Sequence, residues 1–157
     1  MIKIKCMVID KTRSSFLKEG ESFYLDRLRR YAQVEWIEIK PVKIKKGRAE
    51  GEILSAEARA IERRLTETDF VIALDRTGEE VASEELAAWL NRVSTHEPGW
   101  VTFVIGSPLG LSDGIIQRAR RVLALSRLTL THEMTRLVLL EQLYRAMTIL
   151  RGEKYHK

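Results

Sequence analysis

The chain has 157 residues, 27 of them Lys or Arg and 22 Asp or Glu, which gives a net charge of +5. This length is typical of one domain, and we expect residues 1–157 to form a single domain. With 45% hydrophobic residues, 9 glycines and 3 prolines, the composition excludes collagen-like, low-complexity and wholly disordered chains.

The charge is unevenly distributed along the chain. Residues 1–48 contain 13 Lys and Arg against 6 Asp and Glu, residues 49–97 contain 5 against 12, and residues 98–157 contain 9 against 4. Two basic thirds around an acidic middle favour a polyanionic partner, because clustered cations bind phosphates. Helices of uneven charge in ordinary solvent would produce the same pattern, and charge alone leaves both interpretations open.

The single cysteine, Cys6, excludes an internal disulfide and a cysteine-rich metal site. Lysines interrupt the apolar residues at the N-terminus, which is not typical of a signal peptide. No apolar run approaches the roughly 18 residues of a membrane span. We therefore expect a soluble cytoplasmic protein that uses neither a membrane nor a metal.

Strands and helices are predicted to alternate along the first half of the chain. Residues 2–9 begin in alternation and become wholly apolar, which predicts a strand. Apolar residues at helical spacing predict a helix over 14–31, and alternation predicts a second strand over 34–39. Residues 40–52 are expected to form a mobile basic loop, and a helix is expected over 52–66.

The second half continues the alternation. Its continuous apolar runs are typical of strands buried on both faces of a parallel sheet. Ser83 is predicted to cap a helix that has Glu84 and Glu85 in its first turn. Strands are expected at residues 70–74, 100–105 and 122–125, and helices at residues 83–93, 112–121 and 133–150. This order predicts an α/β domain with a mostly parallel sheet flanked by helices.

The last predicted helix is apolar around most of its circumference, with five leucines between Leu137 and Leu150 as well as Val138, Met147 and Ile149. One core face cannot cover so many apolar side chains. We expect a second copy of the chain to cover the remainder, as in a homodimer.

Three predicted strand ends, at Leu74, Ile105 and Leu125, are followed by segments with small or aliphatic side chains. Ligands of open α/β sheets bind outside these carboxyl ends. Exposed main-chain groups beside aliphatic side chains suit a flat, neutral base such as adenine. The chain contains neither G-x-x-x-x-G-K-[ST] nor G-x-G-x-x-G, which argues against a P-loop or ordinary dinucleotide site.

Other catalytic patterns are weak or absent. The three histidines show no metal-ligand spacing, and no G-x-S-x-G elbow is present. Glu141 and Arg145 are four residues apart, which fits either an ordinary ion pair or a site for an anionic substrate. The tail, residues 154–157, has Tyr155 and His156 between two lysines. It would ordinarily be frayed, although this pattern also suits base stacking and phosphate binding.

Three segments together closely resemble the RlmH family, the bacterial 23S rRNA (pseudouridine-N3) methyltransferases. They are Phe103–Leu111 (FVIGSPLGL), Leu125–His132 (LSRLTLTH), and Leu140–Ala146 (LEQLYRA) with the Tyr155–His156 end. Their order and spacing match over the whole chain. The resemblance implies the SPOUT fold, in which the C-terminal part is threaded into a trefoil knot. It also implies a homodimer that uses S-adenosylmethionine and acts on 23S rRNA within the assembled ribosome.

The resemblance also assigns roles to residues. It implies cofactor contacts at Leu74, Gly106, Leu125, Ser126, Arg127, Leu128, Thr129 and Leu130. Candidates for orienting the base or handling its proton are His132, Arg136, Arg145, Tyr155 and His156. Two positions depart from the family pattern: Ser107 replaces the second glycine of its G-G-P turn, and Thr131 replaces the proline before its histidine. Ser107 thus adds a side chain beside the implied cofactor site.

Two other functions are weighed against this one. One is a non-catalytic RNA-binding or ribosome-binding protein of the same fold, and the other is a SPOUT methyltransferase acting on a different RNA. Binding of S-adenosylmethionine would distinguish the non-catalytic protein from the proposed enzyme. The modification that is lost from rRNA in a deletion strain would distinguish the two methyltransferases.

Overall fold

A computed structural model describes residues 1–43 and 46–157, which form five strands and five helices. The strands are β1 (Ile2–Ile9), β2 (Ala32–Ile39), β3 (Phe70–Glu79), β4 (Val101–Ile105) and β5 (Arg121–Leu123). The helices are α1 (Ser15–Leu28), α2 (Glu50–Glu62), α3 (Ser83–His96), α4 (Asp113–Arg118) and α5 (His132–Leu150).

The strands form one sheet in the order β2-β1-β4-β3-β5, and every neighbouring pair is parallel. Ile4 of β1 lies opposite Val34 of β2 on one side and Val101 of β4 on the other. Since all five strands run the same way, their carboxyl ends share one edge of the sheet. The predicted α/β class with a parallel sheet is confirmed.

Helices cover both faces of the sheet, so the strands are buried on both sides. Alternate residues of β1, such as Cys6 and Val8, pack with α1, α3 and α5, while Met7 and Ile9 pack with α2 and α4. This two-sided burial explains the continuous apolar runs, because no strand face is left to water.

Several element boundaries differ from the sequence prediction. β3 extends past Leu74 to Glu79, with an irregularity after Leu74 where it pairs with β5. A Cβ atom at Gly78 would lie 2.6 Å from the carbonyl of Val122, so only glycine permits this close pairing. The prediction of Ser83 as a helix cap is wrong: its hydroxyl donates to Gln142 of α5 at 2.6 Å.

The helix α5 is covered largely by its own subunit. Its apolar side chains pack against α1 and α3, and Leu139, Leu140 and Leu143 are fully buried. The close approach to α1 occurs at Gly20, which is in contact with the side chain of Leu137. Neighbouring helices thus provide much of the cover that the sequence analysis assigned to a second copy.

The predicted basic loop is shorter than expected, because α2 begins at Glu50. Two of its residues, Ile44 and Lys45, lie outside the described residues. Lys40, Lys43 and Arg48 are exposed.

Candidate active site

A cavity of about 590 Å³ opens at the carboxyl ends of β3, β4 and β5. It is lined by residues 74–76, 105–111 and most of 123–132. This is the edge at which open parallel sheets bind ligands, and the volume is that of a small-molecule or cofactor site. The lining combines aliphatic side chains with hydroxyl and main-chain polar groups, which suits a nucleoside.

Most residues predicted to contact a cofactor lie at this cavity: Leu74, Gly106, Leu125, Ser126, Leu128, Thr129 and Leu130. Arg127 does not, and its cofactor contact stays a prediction. The main-chain N–H of Leu128 donates to the hydroxyl of Ser126 at 2.9 Å, which closes a tight turn. Arg127 stands at the exposed apex of that turn and is not among the residues that line the cavity.

The turn after β4 requires its glycines for steric reasons. A Cβ atom at Gly106 would overlap the carbonyl oxygen of Gly110. Gly110 has φ of +83°, in the left-handed region that glycine adopts without strain. Its N–H donates to the carbonyl of Ser107 at 2.8 Å. Residues 106–110, which we call the glycine turn, therefore form a closed turn whose main chain faces the cavity.

Ser107 connects the glycine turn to α2. Its hydroxyl donates to Oε2 of Glu57 at 2.8 Å and accepts from the N–H of Leu109 at 3.3 Å. Glu57 is buried, and burial raises the pKa of its carboxyl group while the Ser107 hydrogen bond partly offsets that rise. Sequence reasoning missed Glu57, because nothing in the pattern of α2 marks a glutamate that is turned inward.

His132, at the first turn of α5, lines the same cavity. Burial lowers the pKa of its imidazole, and the nearby positive charge of Arg136 lowers it further, although Glu133 and Asp10 oppose both effects. The net direction favours a neutral imidazole at neutral pH. Such a ring accepts or donates hydrogen bonds without placing a fixed charge at the cavity.

Arg136, one of the candidates for orienting the base or handling its proton, lies inside the fold. Its side chain is fully buried, and its guanidinium donates to the carbonyl of Ile9 at 2.6 Å and that of Asp10 at 3.1 Å. It also donates to the hydroxyl of Thr12 at 2.9 Å, which in turn donates to buried Glu21. These hydrogen bonds from the Arg136 guanidinium tie the loop after β1 to α5.

Arg145, Tyr155 and His156 form a second polar group, which we call the tail cluster, around Glu141. Arg145 donates to Oε1 of Glu141 at 2.6 Å, which is the predicted ion pair between residues four apart. Tyr155 donates to the same oxygen at 3.1 Å, and its ring packs edge-on against Tyr144.

The remaining contacts fasten the tail to its own subunit. His156 lies 3.2 Å from Arg145 through Nδ1 and 2.7 Å from Glu84 of α3 through Nε2. Burial raises the pKa of Tyr155, and hydrogen bonding to Tyr24 and Glu141 raises it further, so the phenol stays protonated. The tail is thus folded back onto α5 and α3 and is not frayed.

The predicted catalytic residues consequently fall into two groups at opposite ends of α5. His132 lies at the cavity, and the 13 residues from His132 to Arg145 span roughly 20 Å of helix. No single subunit brings the tail cluster to its own cavity in this arrangement. A site that uses both groups needs the tail cluster of another copy.

The fold and the cavity together define a class: an open parallel α/β protein with a nucleoside-sized site at the carboxyl edge of its sheet. Residues 2–156 match the family model described as "Predicted SPOUT methyltransferase". The chain therefore belongs to the SPOUT methyltransferase family.

Named relatives match the chain along its full length. A Bacillus cereus protein named "Ribosomal RNA large subunit methyltransferase H" is 42% identical over 159 residues, covering 99% of this chain and 100% of that protein. A Syntrophotalea carbinolica protein of the same name is 43% identical over 155 residues, covering 99% of each. The family suggested by the three sequence segments is confirmed.

Solved structures support the fold. A probable methyltransferase from Bordetella pertussis Tohama I aligns with a TM-score of 0.58 and 13% identity over 93% of this chain and 95% of that chain. A probable methylase family protein from Haemophilus influenzae Rd KW20 aligns with a TM-score of 0.53 and 15% identity, covering 98% and 68% respectively. At these identities the likeness concerns the fold alone.

Within residues 1–43 and 46–157, no helix combines the length and apolarity needed to cross a membrane. The same residues contain no group of three or more His, Cys, Asp or Glu side chains placed to hold a metal ion.

Proposed function

We propose that this chain is an S-adenosylmethionine-dependent methyltransferase that methylates N3 of a pseudouridine in 23S rRNA on the assembled ribosome, in the cytoplasm. The observation that carries the proposal is the cavity, which is built from the segments that resemble the RlmH family. The full-length identity of 42% to a relative named for large-subunit rRNA supports the substrate class.

The cavity suits this cofactor on three grounds. Its volume of about 590 Å³ accommodates a nucleoside with a short chain. Leu74, Leu125 and Leu130 offer apolar contacts to an adenine ring, while the main chain of the glycine turn offers polar contacts. A Cβ atom at Gly106 would lie 2.3 Å from the carbonyl oxygen of Gly110, so glycine at this position lets the turn close with its main chain at the cavity.

The reaction that we infer is mainly a positioning task. S-adenosylmethionine, when bound, supplies a methyl group already activated on a sulfonium, so the protein must align the base with it. N3 of the base must lose its proton, and a nearby cation favours the resulting anion. Arg145 carries such a charge, and His132 offers a neutral imidazole for hydrogen bonding or proton transfer. We infer that Tyr155, whose ring is partly exposed, stacks against the base.

We further propose that the enzyme is a homodimer whose site is shared between subunits. The roughly 20 Å of α5 between His132 and the tail cluster supports this arrangement. Phe16 and Phe23, which are 66% and 47% exposed, lie seven residues apart on one side of α1. They are candidates for burial in the dimer, because exposed aromatic patches mark interaction surfaces.

We also propose that the C-terminal part of the chain is threaded into a trefoil knot. The segment after β5 passes along the cavity from the sheet edge and leads into α5, which packs against α1 and α3. This route is consistent with the threading that the SPOUT family implies.

Calorimetry and rRNA analysis test the proposed function. We expect the purified protein to bind S-adenosylmethionine, and the variant Gly106→Val to lose this binding because its side chain collides with the turn. Mass spectrometry of rRNA from a deletion strain should show loss of one N3-methylpseudouridine. An absence of cofactor binding would favour a non-catalytic binding protein, and loss of a different methyl group would favour another RNA substrate.

The basic loop is expected to contribute to ribosome binding. Replacing Lys40, Lys43, Lys46 and Arg48 with Glu should weaken binding to ribosomal particles at least tenfold and flatten its salt dependence, because fewer phosphate contacts release fewer counterions. Affinity for S-adenosylmethionine should not change. Reversing Arg63 and Arg64, two exposed charges beside the end of α2, is the control. An equal loss in both variants would show that the effect is non-specific.

A further inference from the structure

The buried carboxylate of Glu57 lies immediately behind the wall of the cavity. Its Oε2 atom accepts a hydrogen bond of 2.8 Å from Ser107, and Ser107 itself lines the cavity. Glu57 is 8% exposed, so the charge is poorly solvated where it stands. Most carboxylates on this helix, such as Glu62, face solvent.

A charge in this position acts over a longer range than a surface charge. Solvent screens exposed carboxylates strongly, whereas a partly buried one keeps more of its field. Asp75 also lines the cavity, but it is half-exposed and accepts hydrogen bonds from Thr77. Glu57 is more buried than Asp75, so its charge is the less screened of the two.

The two ligands that a methyl-transfer site must handle differ in charge. The methyl donor is a sulfonium and carries one positive charge more than the demethylated thioether product. A fixed negative potential at the cavity favours the donor and not the product. Discrimination between the two promotes exchange of product for fresh donor.

We propose that Glu57, acting through Ser107, is a positioning and specificity-determining residue that favours the cationic methyl donor over the neutral demethylated product. The hydrogen bond fixes the glycine turn, and the carboxylate charge provides the discrimination. This inference rests on the proposed function of the cavity.

Two substitutions separate the charge from the hydrogen bond. Glu57→Gln removes the charge but keeps an amide oxygen that can accept from Ser107. Ser107→Ala removes the donor that fixes the turn. Glu62→Gln removes one exposed charge from the same helix and is the matched control. Calorimetry would measure the affinity of each protein for S-adenosylmethionine and S-adenosylhomocysteine, and thermal unfolding would be followed in parallel.

For Glu57→Gln we expect the ratio of the two affinities to shift toward the product by about threefold to tenfold, the size of one partly screened charge interaction. Glu62→Gln should keep the wild-type ratio. Ser107→Ala should weaken both ligands, because the turn loses its anchor. An unchanged ratio in Glu57→Gln overturns the proposal, even if both affinities fall together. Failure of the wild-type protein to bind either ligand would instead contradict the proposed function.

Discussion

Deletion of residues 154–157 is expected to lower methyl transfer at least about 100-fold while affinity for S-adenosylmethionine stays within about twofold. The deletion removes Tyr155 and His156, two of the groups proposed to orient the base, and misplaced reactants lose rate steeply. The cavity lies at the other end of α5 and keeps all its lining residues. Single-turnover methylation of ribosomal particles, with calorimetry on the same preparation, measures both quantities.

Mixing subunits tests whether the site is shared. One subunit would lack residues 154–157, and the other would carry Gly106→Val in the cavity. Neither forms an active homodimer, but each heterodimer has one intact cavity facing one intact tail. Random pairing should restore about a quarter of the wild-type activity. No recovery in the mixture would contradict the shared site, and full activity of the deletion variant alone would remove the tail from the mechanism.

Replacement of Arg136 by Met is expected to destabilise the fold by about 3–5 kcal/mol. The substitution leaves the carbonyls of Ile9 and Asp10 without their donor, together with the hydroxyl of Thr12. It also removes the charge opposite Glu21, which is buried and whose pKa is raised mainly by that burial. Urea denaturation measures the loss.

A surface arginine provides the comparison for Arg136. Arg120 is largely exposed and pairs with Glu97 at 3.1 Å, so Arg120→Met should cost less than about 1 kcal/mol. A similar small cost for Arg136→Met, with methylation abolished at full stability, would show that Arg136 acts on the substrate and not on the fold.

The location of the cavity could be predicted from the sequence more completely than the roles of individual side chains. Strand ends at Leu74, Ile105 and Leu125 are visible as apolar runs that stop at small residues, and in a parallel sheet such ends share one edge. Seven of the eight predicted cofactor positions line the cavity for this reason. Arg127 is the exception: it lies exposed between Ser126 and Leu128, in the turn that their hydrogen bond closes.

Arg136 shows why side-chain roles are harder to predict. Its position beside His132 and on the same helix as Arg145 suggested a common task, but helical periodicity gives no information about the strand end against which a side chain packs. Glu57 is the opposite case. No local sequence pattern marks this residue, and only tertiary packing brings its side chain to the wall of the cavity. Both outcomes depend on contacts between residues far apart in the chain.

The basic, acidic and basic thirds, the alternation of strand and helix, and the family are properties that the amino-acid sequence determines by itself, because each depends on which residue types stand where along the chain and not on contacts between distant segments. The tertiary structure decided which groups meet. It separated the catalytic candidates by the length of α5, buried Arg136, and placed Glu57 behind the glycine turn. Those distances follow from how helices pack on the sheet, and local sequence does not encode that packing.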